Sequence, residues 1–435
     1  MSLQVFKFGG ASVKNQEGFK NVCDIIKKYK QDQLVVVVSA TGKTTNQLEE
    51  VVKNKFSKDI DAKMLLKAIQ DKHVHIVQEL GFSEEHPIYQ EIHEHFVEAE
   101  WVVEEQRESP YDYTYDQIVS VGELVSSRIL HNLLMRMGVD AVWADARGLI
   151  RTDETYREGR IQWDVTNYQV EKELAVYLSQ NKVIVTQGFI GSTGENNTCT
   201  LGREGSDYTA AIISSALNTD AMTIWKDVPG ILTADPSVFE NVSKLDRLSY
   251  TEAIEMTYYG AKVIHPKTIQ PLKLKNIPLY VKSFIHPAGE GSVIAGEFDV
   301  EYPPIVVLES NQVLLHFSSR DLSFIAEHHL ARLFDLFEKY RIKVNMMRNT
   351  AISFSICTGD DSKKIEAMLA ELHGEYTVFM DRNLELITVR HYIESMLPKL
   401  LEGKIVVMEE RITKTIQLVV KEAPAIVYKV KKDNE

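Results

Sequence analysis

The fold is decided by residues 3–39, which read LQVFKFGGASVKNQEGFKNVCDIIKKYKQDQLVVVVS. The first six residues alternate like a strand, which Gly9-Gly10 ends. Residues 16–29 place apolar side chains at helical spacing. Residues 34–38 then form a purely aliphatic run, which is typical of a central strand covered on both faces. A strand, a helix and a second buried strand in this order predict a βαβ unit and a parallel sheet.

The same alternation continues over the first 300 residues. Helical patterns cover much of 46–106 and recur at 116–137 and 206–217. Short apolar strands are predicted between them, at 139–143, 183–187 and 221–225. We therefore expect an α/β fold with an open, mainly parallel sheet and helices on both faces.

The pattern changes after the Tyr-Pro-Pro hinge at 302–304, which favours an extended backbone. A strand at 313–317 is followed by a helix, two strands, a helix and a strand. This βαββαβ order is typical of a ferredoxin-like unit, and a weaker partial repeat follows it. We place domains at 1–300, 305–380 and 381–435, the last of them short or degenerate.

Charge and cysteine content limit the function. Asp and Glu total 62 against 49 Lys and Arg, a net charge of −13 without a basic stripe, which argues against nucleic acid as the main partner. Cys23, Cys199 and Cys357 lie far apart and form no disulfide or metal motif, as in a reducing cytosol. No apolar run approaches the ~20 residues of a membrane span. We expect a cytoplasmic protein without an export segment or a membrane partner.

The loop after the first strand is a candidate anion site. In Lys7-Phe8-Gly9-Gly10-Ala11-Ser12, the glycines leave backbone N–H groups free for anionic oxygens, and Lys7 supplies a point charge for phosphate. A plain strand-to-helix turn with a surface lysine is the competing interpretation.

The loop after the second strand, SATGKTTN at 39–46, is rich in hydroxyl groups. It is not a P-loop, because Val37 stands where the first glycine is required. Hydroxyls such as those of Ser39 and Thr45 can still hold a small polar substrate, since open α/β sheets bind ligands at the carboxyl ends of their strands. An ordinary polar loop explains the composition equally well.

Two further segments carry charged candidates. Glu123, in a helical segment, can bind a substrate ammonium group, although a surface glutamate is the commoner case. GREGSD at 202–207 opens a helix, and glycines, Arg203 and a helix N-terminus together make an anion site. Asp207 can simply stabilise the first turn, hold Mg²⁺, or orient a phosphate-bridging lysine.

A long turn, WKDVPGILTADP at 225–236, is flanked by carboxylates and can frame a purine and a ribose, or be only a turn. The thirteen histidines show no metal-binding spacing, so we expect no metal site built by the protein alone. Four of them are expected to be solvated: His73, His75, His93 and His95. The Met346-Met347 pair is expected to pack in the core.

Taken in order, these segments resemble the aspartokinases of the amino acid kinase family, and the C-terminal repeats resemble the paired ACT domains that these enzymes carry. The matching segments are KFGGAS at 7–12, VVVVSATGKTTNQL at 35–48, VSVGELVSSRIL at 119–130, QGFIG at 187–191, GREGSDYTAA at 202–211, IWKDVPGILTADP at 224–236 and YYGAKVIHPKTI at 258–269.

The resemblance implies transfer of the γ-phosphoryl group of Mg-ATP to the β-carboxylate of L-aspartate, the first step towards lysine, threonine and methionine. The implied catalytic residues are Lys7, Asp207 and Lys262. The implied aspartate-binding residues are Ser39, Thr45, Glu123 and Arg203. The implied nucleotide-binding residues are Gly9, Gly10, Ser12, Trp225, Lys226, Asp227, Gly230, Asp235 and Lys262.

The resemblance also implies feedback control by lysine or threonine and a homodimer formed through the ACT domains. The implied effector residues are Ser319, Asn345, Met346 and Thr350. The chain departs from the family pattern at Ala11, where threonine is usual, and at Glu204, where glycine is usual. Leu232 and Ser237 replace a usual Tyr and Arg near the nucleotide.

Two alternatives stay open at this point. One is another amino acid kinase, of the glutamate 5-kinase or acetylglutamate kinase type, which the helical insert at 46–106 and the ACT-like tail oppose. The other is an amino-acid sensor with an impaired kinase domain, which Ala11 and Glu204 suggest and the presence of Lys7, Asp207 and Lys262 opposes.

Overall fold

The computed structural model describes residues 2–29, 32–105, 109–261, 264–296, 298, 300–319, 324–372 and 374–423. The chain divides into two compact units. One comprises Met1–Ile231, Lys244–Thr257 and Lys262–Asp299, and the other comprises Leu232–Ser243, Tyr258–Ala261 and Val300–Glu435. Two short segments of the first 300 residues therefore pack within the second unit.

In the order of the chain, the elements up to residue 295 are β1 (Leu3–Phe8), α1 (Gln16–Lys28), β2 (Gln33–Val38), α2 (Thr44–Ser57), α3 (Ala62–Glu79), α4 (Ile88–Glu104), α5 (Tyr111–Val119), α6 (Val121–Arg136), β3 (Ala141–Ala144), α7 (Ala146–Leu149), α8 (Trp163–Ser179), β4 (Val183–Gln187), β5 (Ile190–Ser192), β6 (Thr198–Thr200), α9 (Gly205–Leu217), β7 (Ala221–Lys226), β8 (Ile231–Leu232), β9 (Lys244–Leu245), β10 (Arg247–Ser249), α10 (Tyr250–Tyr258), α11 (Pro266–Lys275), β11 (Leu279–Ser283) and β12 (Ser292–Ala295).

Within the described residues, eight of these strands form one sheet in the order β10-β12-β11-β7-β1-β2-β4-β3. The β11–β12 pair is antiparallel, and the other pairs are parallel. Phe6, Phe8, Val36 and Val38 pack with α1 to α4 and α6 on one face. Helices α8 and α9 contact the other face. The predicted open, mainly parallel sheet with helices on both faces is confirmed.

The C-terminal elements are β13 (Ile305–Ser319), α12 (Glu327–Lys339), β14 (Met346–Asn349), β15 (Ser353–Gly359), α13 (Ser362–Glu371), β16 (Tyr376–Arg390), α14 (Leu397–Leu400), β17 (Lys404–Ile412) and β18 (Thr415–Glu422). The order β14-β15-β13-β16 is that of a ferredoxin-like sheet, and β18 and β17 extend it beyond β16.

Some local predictions were wrong, and one was too short. The helix predicted at 116–137 is two helices, α5 and α6, which meet at Ser120, where the hydroxyl donates to the Gln117 carbonyl at 3.2 Å. The strand predicted at 313–317 is present as the second half of the longer strand β13, whose ladder is irregular between Glu309 and Gln312. His73 is fully buried between helices rather than solvated, and burial lowers its pKa to about 4.

His95 is also buried, so the solvated interpretation was wrong for it too. Of the methionine pair, Met346 is buried and Met347 is exposed. Cys23, Cys199 and Cys357 are buried free thiols. Among the described helices, none is long and apolar enough to cross a membrane.

Candidate active site

Four central strands bring the predicted loops to one edge of the parallel sheet. In the register of β7, β1, β2 and β4, Phe8 lies beside Trp225 and Val38, and Val38 lies beside Gln187. Each strand therefore ends at the same level, and the loops that begin at Gly9, Ser39, Gly188 and Asp227 are neighbours. Carboxyl ends of parallel strands are the usual ligand-binding edge of such sheets.

A buried ion pair lies at the centre of this edge. Lys7 Nζ is 2.6 Å from Asp207 Oδ1, and the two side chains are only 11% and 5% exposed. Asp207 lies in the first turn of α9, where the helix dipole favours a negative charge. Because both charges are withdrawn from water, each holds the other in a defined position, with the Lys7 ammonium at the end of β1.

Of the two glycines in the first loop, Gly10 is required by close packing. A Cβ atom on Gly10 would lie 2.7 Å from the carbonyl oxygens of Ala40 and Gly42, and the Gly42 amide donates to the Gly10 carbonyl at 3.0 Å. On Gly9, the nearest atom to a Cβ would be Lys7 Nζ at 3.4 Å. The loop thus joins the loop after β2 and leaves the space beside the Lys7 ammonium clear.

Ser12 is buried, and its hydroxyl donates to the Gly9 carbonyl at 2.5 Å. It therefore fixes the turn after β1, and this hydroxyl could donate to a phosphate oxygen only if that bond broke.

Glu123 is the second buried carboxyl group at this edge. It lies in the first turn of α6 and is 3% exposed. Its Oε1 accepts from the Ala40 amide at 3.2 Å, and its Oε2 has no hydrogen-bond partner among the described residues. Burial raises the pKa of Glu123 to about 8, opposed by the Ala40 amide and by the charge of Lys7. The free oxygen and the desolvated carboxyl group together suit a cationic ligand.

The loop after β2 is tied to the same helix. The Ser126 hydroxyl donates to the Ser39 carbonyl at 2.8 Å, and a Cβ atom on Gly122 would lie 2.9 Å from the Ala40 Cβ. Ser39 is half-buried, and Thr45 is half-buried in the first turn of α2. Two residues that the sequence associates with a substrate are thereby positioned against the helix that carries Glu123.

Arg203 is exposed, in the turn before α9. Glu204 has a left-handed backbone (φ 54°), which explains why glycine suits this position, and its Oε2 accepts from the His265 amide at 2.9 Å. A Cβ atom on Gly188 would lie 2.4 Å from the Ser206 Cβ, so the end of β4 is in close contact with the start of α9.

The predicted nucleotide residues are more dispersed. Trp225 is buried, with its ring stacked on Phe8 at 5.9 Å between centroids, so only its backbone is open to a ligand. Lys226 is half-buried and Asp227 exposed. Gly230 has φ 157°, and a Cβ atom there would lie 2.4 Å from Ser292 Oγ, so this glycine permits close packing of the turn.

Two predicted nucleotide residues remain. Asp235 belongs to the second unit, where its Oδ1 accepts from the Ser237 amide (2.9 Å) and hydroxyl (2.6 Å). Lys262 lies outside the described residues.

The predicted effector residues occupy the two ends of β14. Asn345 Nδ2 donates to Gln312 Oε1 at 2.9 Å, and the next residue, Met346, packs in the core. At the other end, the Thr350 hydroxyl is 2.6 Å from that of Ser353. The Ser319 amide donates to the Ile352 carbonyl at 3.4 Å, which places Ser319 near Thr350. The four residues therefore form two pairs rather than one cluster.

Sequence reasoning missed Asp116, a buried carboxylate on α5. Its three hydrogen-bond donors come from residues 157 and 200. An acid on a helix gives no local sign of partners 41 and 84 residues away, and only a pattern shared among many homologues would have revealed it.

Comparisons with known proteins show the family of this chain. A model of the amino acid kinase family matches residues 2–283. The chain is 31% identical over 401 residues to lysine-sensitive aspartokinase 3 of Escherichia coli, covering 88% of this chain and 86% of that protein. It is 33% identical over 397 residues to the chloroplastic aspartokinase 1 of Arabidopsis thaliana, covering 88% and 68%.

The solved structure of E. coli aspartokinase III in complex with aspartate and ADP has a TM-score of 0.81 at 27% identity, over 96% of both chains. The same enzyme in complex with lysine and aspartate gives 0.79 at 26% identity, over 96% of this chain and 95% of that one.

Proposed function

Because the chain belongs to the amino acid kinase family, and within it to the aspartokinases, we propose that it transfers the γ-phosphoryl group of ATP to the β-carboxylate of L-aspartate. The product is 4-phospho-L-aspartate, the first intermediate towards lysine, threonine and methionine. The observation that carries this proposal is the buried Lys7–Asp207 ion pair at the same sheet edge as the desolvated Glu123.

The residues suit a reaction that needs no general base. The β-carboxylate of aspartate has a reference pKa near 3.9 and is already ionised at pH 7. The protein must align two anions and reduce their repulsion. Lys7 supplies positive charge to the transferring phosphoryl group, and Asp207 holds the Lys7 ammonium in place. At Gly9, among described residues other than its chain neighbours, only the Lys7 ammonium lies within 4 Å of the position of a Cβ atom, so phosphate oxygens have access to the backbone there.

For the amino acid, Glu123 receives the α-ammonium group and Arg203 binds a carboxylate through two parallel hydrogen bonds. Ser39 and Thr45 provide further polar contacts from the loop and helix that adjoin Glu123. Since Glu123 already lies with one oxygen unpaired and its charge disfavoured by burial, an incoming ammonium group restores the lost solvation.

We assign nucleotide binding to Lys226, Asp227 and the turn at Gly230. The resemblance to the family motif assigns the same role to Asp235 and Lys262. Among the described residues, no group of three or more His, Cys, Asp and Glu side chains could hold a metal ion. The lack of such a group in the described part of the chain fits an Mg²⁺ ion that enters bound to the nucleotide phosphates, because such an ion needs only one or two carboxylates from the protein. Such an ion would neutralise phosphate charge, and Asp207 stays assigned to Lys7.

The test is ATP-dependent formation of an acyl phosphate, trapped with hydroxylamine as the hydroxamate. We expect product with L-aspartate and little with glutamate or N-acetylglutamate. Turnover of another acid, but not aspartate, would move the enzyme to a different branch of the family. Binding of lysine or threonine without any phosphoryl transfer would make it an amino-acid sensor, which the intact Lys7–Asp207 pair argues against.

We further propose feedback inhibition through the C-terminal unit, with lysine as the first effector to test, and a cytoplasmic location. Support for lysine comes from the relative named lysine-sensitive and from its structure with lysine bound. Inhibition assays with lysine, threonine and methionine decide among effectors. The ACT-like sheet also has β14 at an edge, where a second copy can pair, so we expect a homodimer in light scattering.

A further inference from the structure

The buried carboxylate of Asp116 is held by donors from two distant segments. Asp116 is fully buried on α5. Its Oδ2 accepts from the Arg157 amide at 2.9 Å and from the Thr200 amide at 2.8 Å. Its Oδ1 accepts from the Thr200 hydroxyl at 2.6 Å. All three donors are uncharged, and hydrogen bonds of this kind to an ionised acceptor are short and directional.

Both segments that Asp116 joins adjoin Gly202, one along the chain and the other by packing against it. Thr200 ends β6 and precedes Gly202 by two residues. Gly202 has a left-handed backbone (φ 77°), and a Cβ atom there would lie 3.1 Å from the Arg157 carbonyl oxygen. Arg203 is the next residue, so the backbone that presents Arg203 rests on the two residues that Asp116 holds.

The neighbouring residue on α5 holds the same strand at its other end. Gln117 Nε2 donates to the Thr198 carbonyl at 2.8 Å, and its Oε1 accepts from the Thr198 amide at 3.2 Å. Asp116 and Gln117 thus hold both ends of β6. The contact is made by side chains, because β6 pairs with β5 alone among the described strands.

The same stretch of chain carries Glu123. Helix α5 ends at Val119, and α6 begins at Val121 after the Ser120–Gln117 hydrogen bond. Only seven residues separate Asp116 from Glu123. One short helical stretch therefore carries Glu123. The same stretch holds the segment that leads to Arg203 through the hydrogen bonds of Asp116 and Gln117.

We infer that Asp116 is a positioning residue for the amino-acid substrate, which fixes the backbone of Arg203 relative to Glu123. The inference rests on the proposed function, in which Glu123 binds the ammonium group and Arg203 a carboxylate. Aspartate and glutamate differ by one methylene group, about 1.5 Å of chain. Glu123 and Arg203 together fix where the reacting side-chain carboxylate lies relative to Lys7, so an added methylene group misplaces that carboxylate, and a loosened Arg203 discriminates less well between the two amino acids.

The direct test is Asp116→Asn, which keeps the shape of the side chain but presents an amide group to at least one of the three donors. We expect the KM for aspartate to rise about tenfold or more, with the KM for ATP changed less than about twofold. We also expect the preference for aspartate over glutamate, as a ratio of kcat/KM values, to fall by about the same factor. Thr200→Val removes only the hydroxyl donor and should give a smaller rise, about threefold.

Asp112→Asn is the matched control. Asp112 lies one turn earlier on α5 and also contacts Arg157, but at the half-exposed guanidinium group (3.0 Å) rather than the amide. Because exposed ion pairs contribute little, this variant should keep wild-type KM values and the same preference for aspartate.

The outcomes separate this inference from the function on which it rests. Asp116→Asn with a wild-type KM for aspartate and unchanged discrimination would overturn the positioning role, as would equal rises in the KM for ATP and for aspartate with a lowered Tm. If that variant does not fold, a wild-type profile in Thr200→Val overturns the role instead. Absence of aspartate turnover in the wild-type enzyme would count against the proposed function itself.

Discussion

The side of the candidate site that carries the catalytic and amino-acid-binding groups is built differently from the turn assigned to the nucleotide. Lys7, Asp207 and Glu123 are buried at strand ends and helix N-termini, and two of them form an ion pair of 2.6 Å. On the nucleotide side, Lys226 is half-buried and Asp227 exposed, on a turn whose glycine packs against Ser292. The first group is ordered before any ligand arrives, and the second presents charged groups to solvent.

This difference indicates a division of roles. Groups that stabilise developing charge act best when they are fixed and desolvated, because no reorganisation is then needed during the reaction. A nucleotide must enter and leave in each cycle, and an exposed turn allows this. Substitutions on the buried side should therefore change kcat or amino-acid binding strongly, whereas those on the exposed side should change the KM for ATP moderately.

The largest effect is expected for Lys7→Ala. It removes the charge assigned to the transferring phosphoryl group, so we expect kcat to fall by about 10³-fold or more. The overall fold should persist in circular dichroism, with a lower Tm because Asp207 loses its partner. Steady-state rates of the hydroxamate assay measure the loss.

Two variants control for this interpretation. Lys14→Ala removes an exposed lysine seven residues later and should retain wild-type rates. Lys7→Ala combined with Asp207→Asn should recover part of the Tm without recovering activity, because the unpaired buried charge is gone. A wild-type rate in Lys7→Ala would remove Lys7 from the mechanism.

A smaller but distinctive effect is expected for the pH dependence of Glu123. Its pKa is raised to about 8 by burial in the ligand-free site, so the carboxyl group is largely neutral at pH 6.5. An ammonium ligand favours the carboxylate, so the KM for aspartate should fall as pH rises from 6.5 to 8.5. Glu123→Gln should flatten this profile and raise the KM at pH 8.5 by on the order of 10²-fold.

The same shift has a consequence for stability. Between about pH 4.5 and 8, the folded protein keeps a proton on Glu123 that the unfolded chain has lost, so the free energy of unfolding should fall as pH rises through this window. Glu123→Gln should remove this part of the pH dependence in denaturant titrations. A KM for aspartate that is flat with pH in the wild type would place the titrating group elsewhere.

The two sides of the site also differ in how much the sequence could reveal. Lys7, Asp207 and the glycine at position 10 lie in short motifs that the sequence places at a strand end and at a helix N-terminus as anion sites, and the structure brings Lys7 and Asp207 together. The α/β alternation was readable for the same reason, since a buried strand such as 34–38 admits few other interpretations.

What failed depends on contacts between distant segments. Trp225 begins a motif assigned to the nucleotide, yet its ring packs against Phe8, and no local pattern distinguishes a core face from a ligand face at the end of a strand. His73 lies in a polar stretch and is nevertheless covered by neighbouring helices. Asp116 has partners 41 and 84 residues away, which composition and periodicity do not encode.

The smallest of these effects is expected for Lys226→Ala, on the exposed side. Removing one charge-assisted contact from a partly solvated group should raise the KM for ATP by about tenfold, with kcat and the KM for aspartate changed less than about twofold. Initial rates at varied ATP measure this, and Lys282→Ala, which removes a lysine from the adjacent strand β11, serves as the control. A fall in kcat as large as that for Lys7→Ala would assign Lys226 to the chemical step and contradict the division between a fixed catalytic side and an open nucleotide side. An unchanged KM for ATP would instead remove the turn after β7 from the nucleotide site, because Lys226 is the cationic group at the end of that strand.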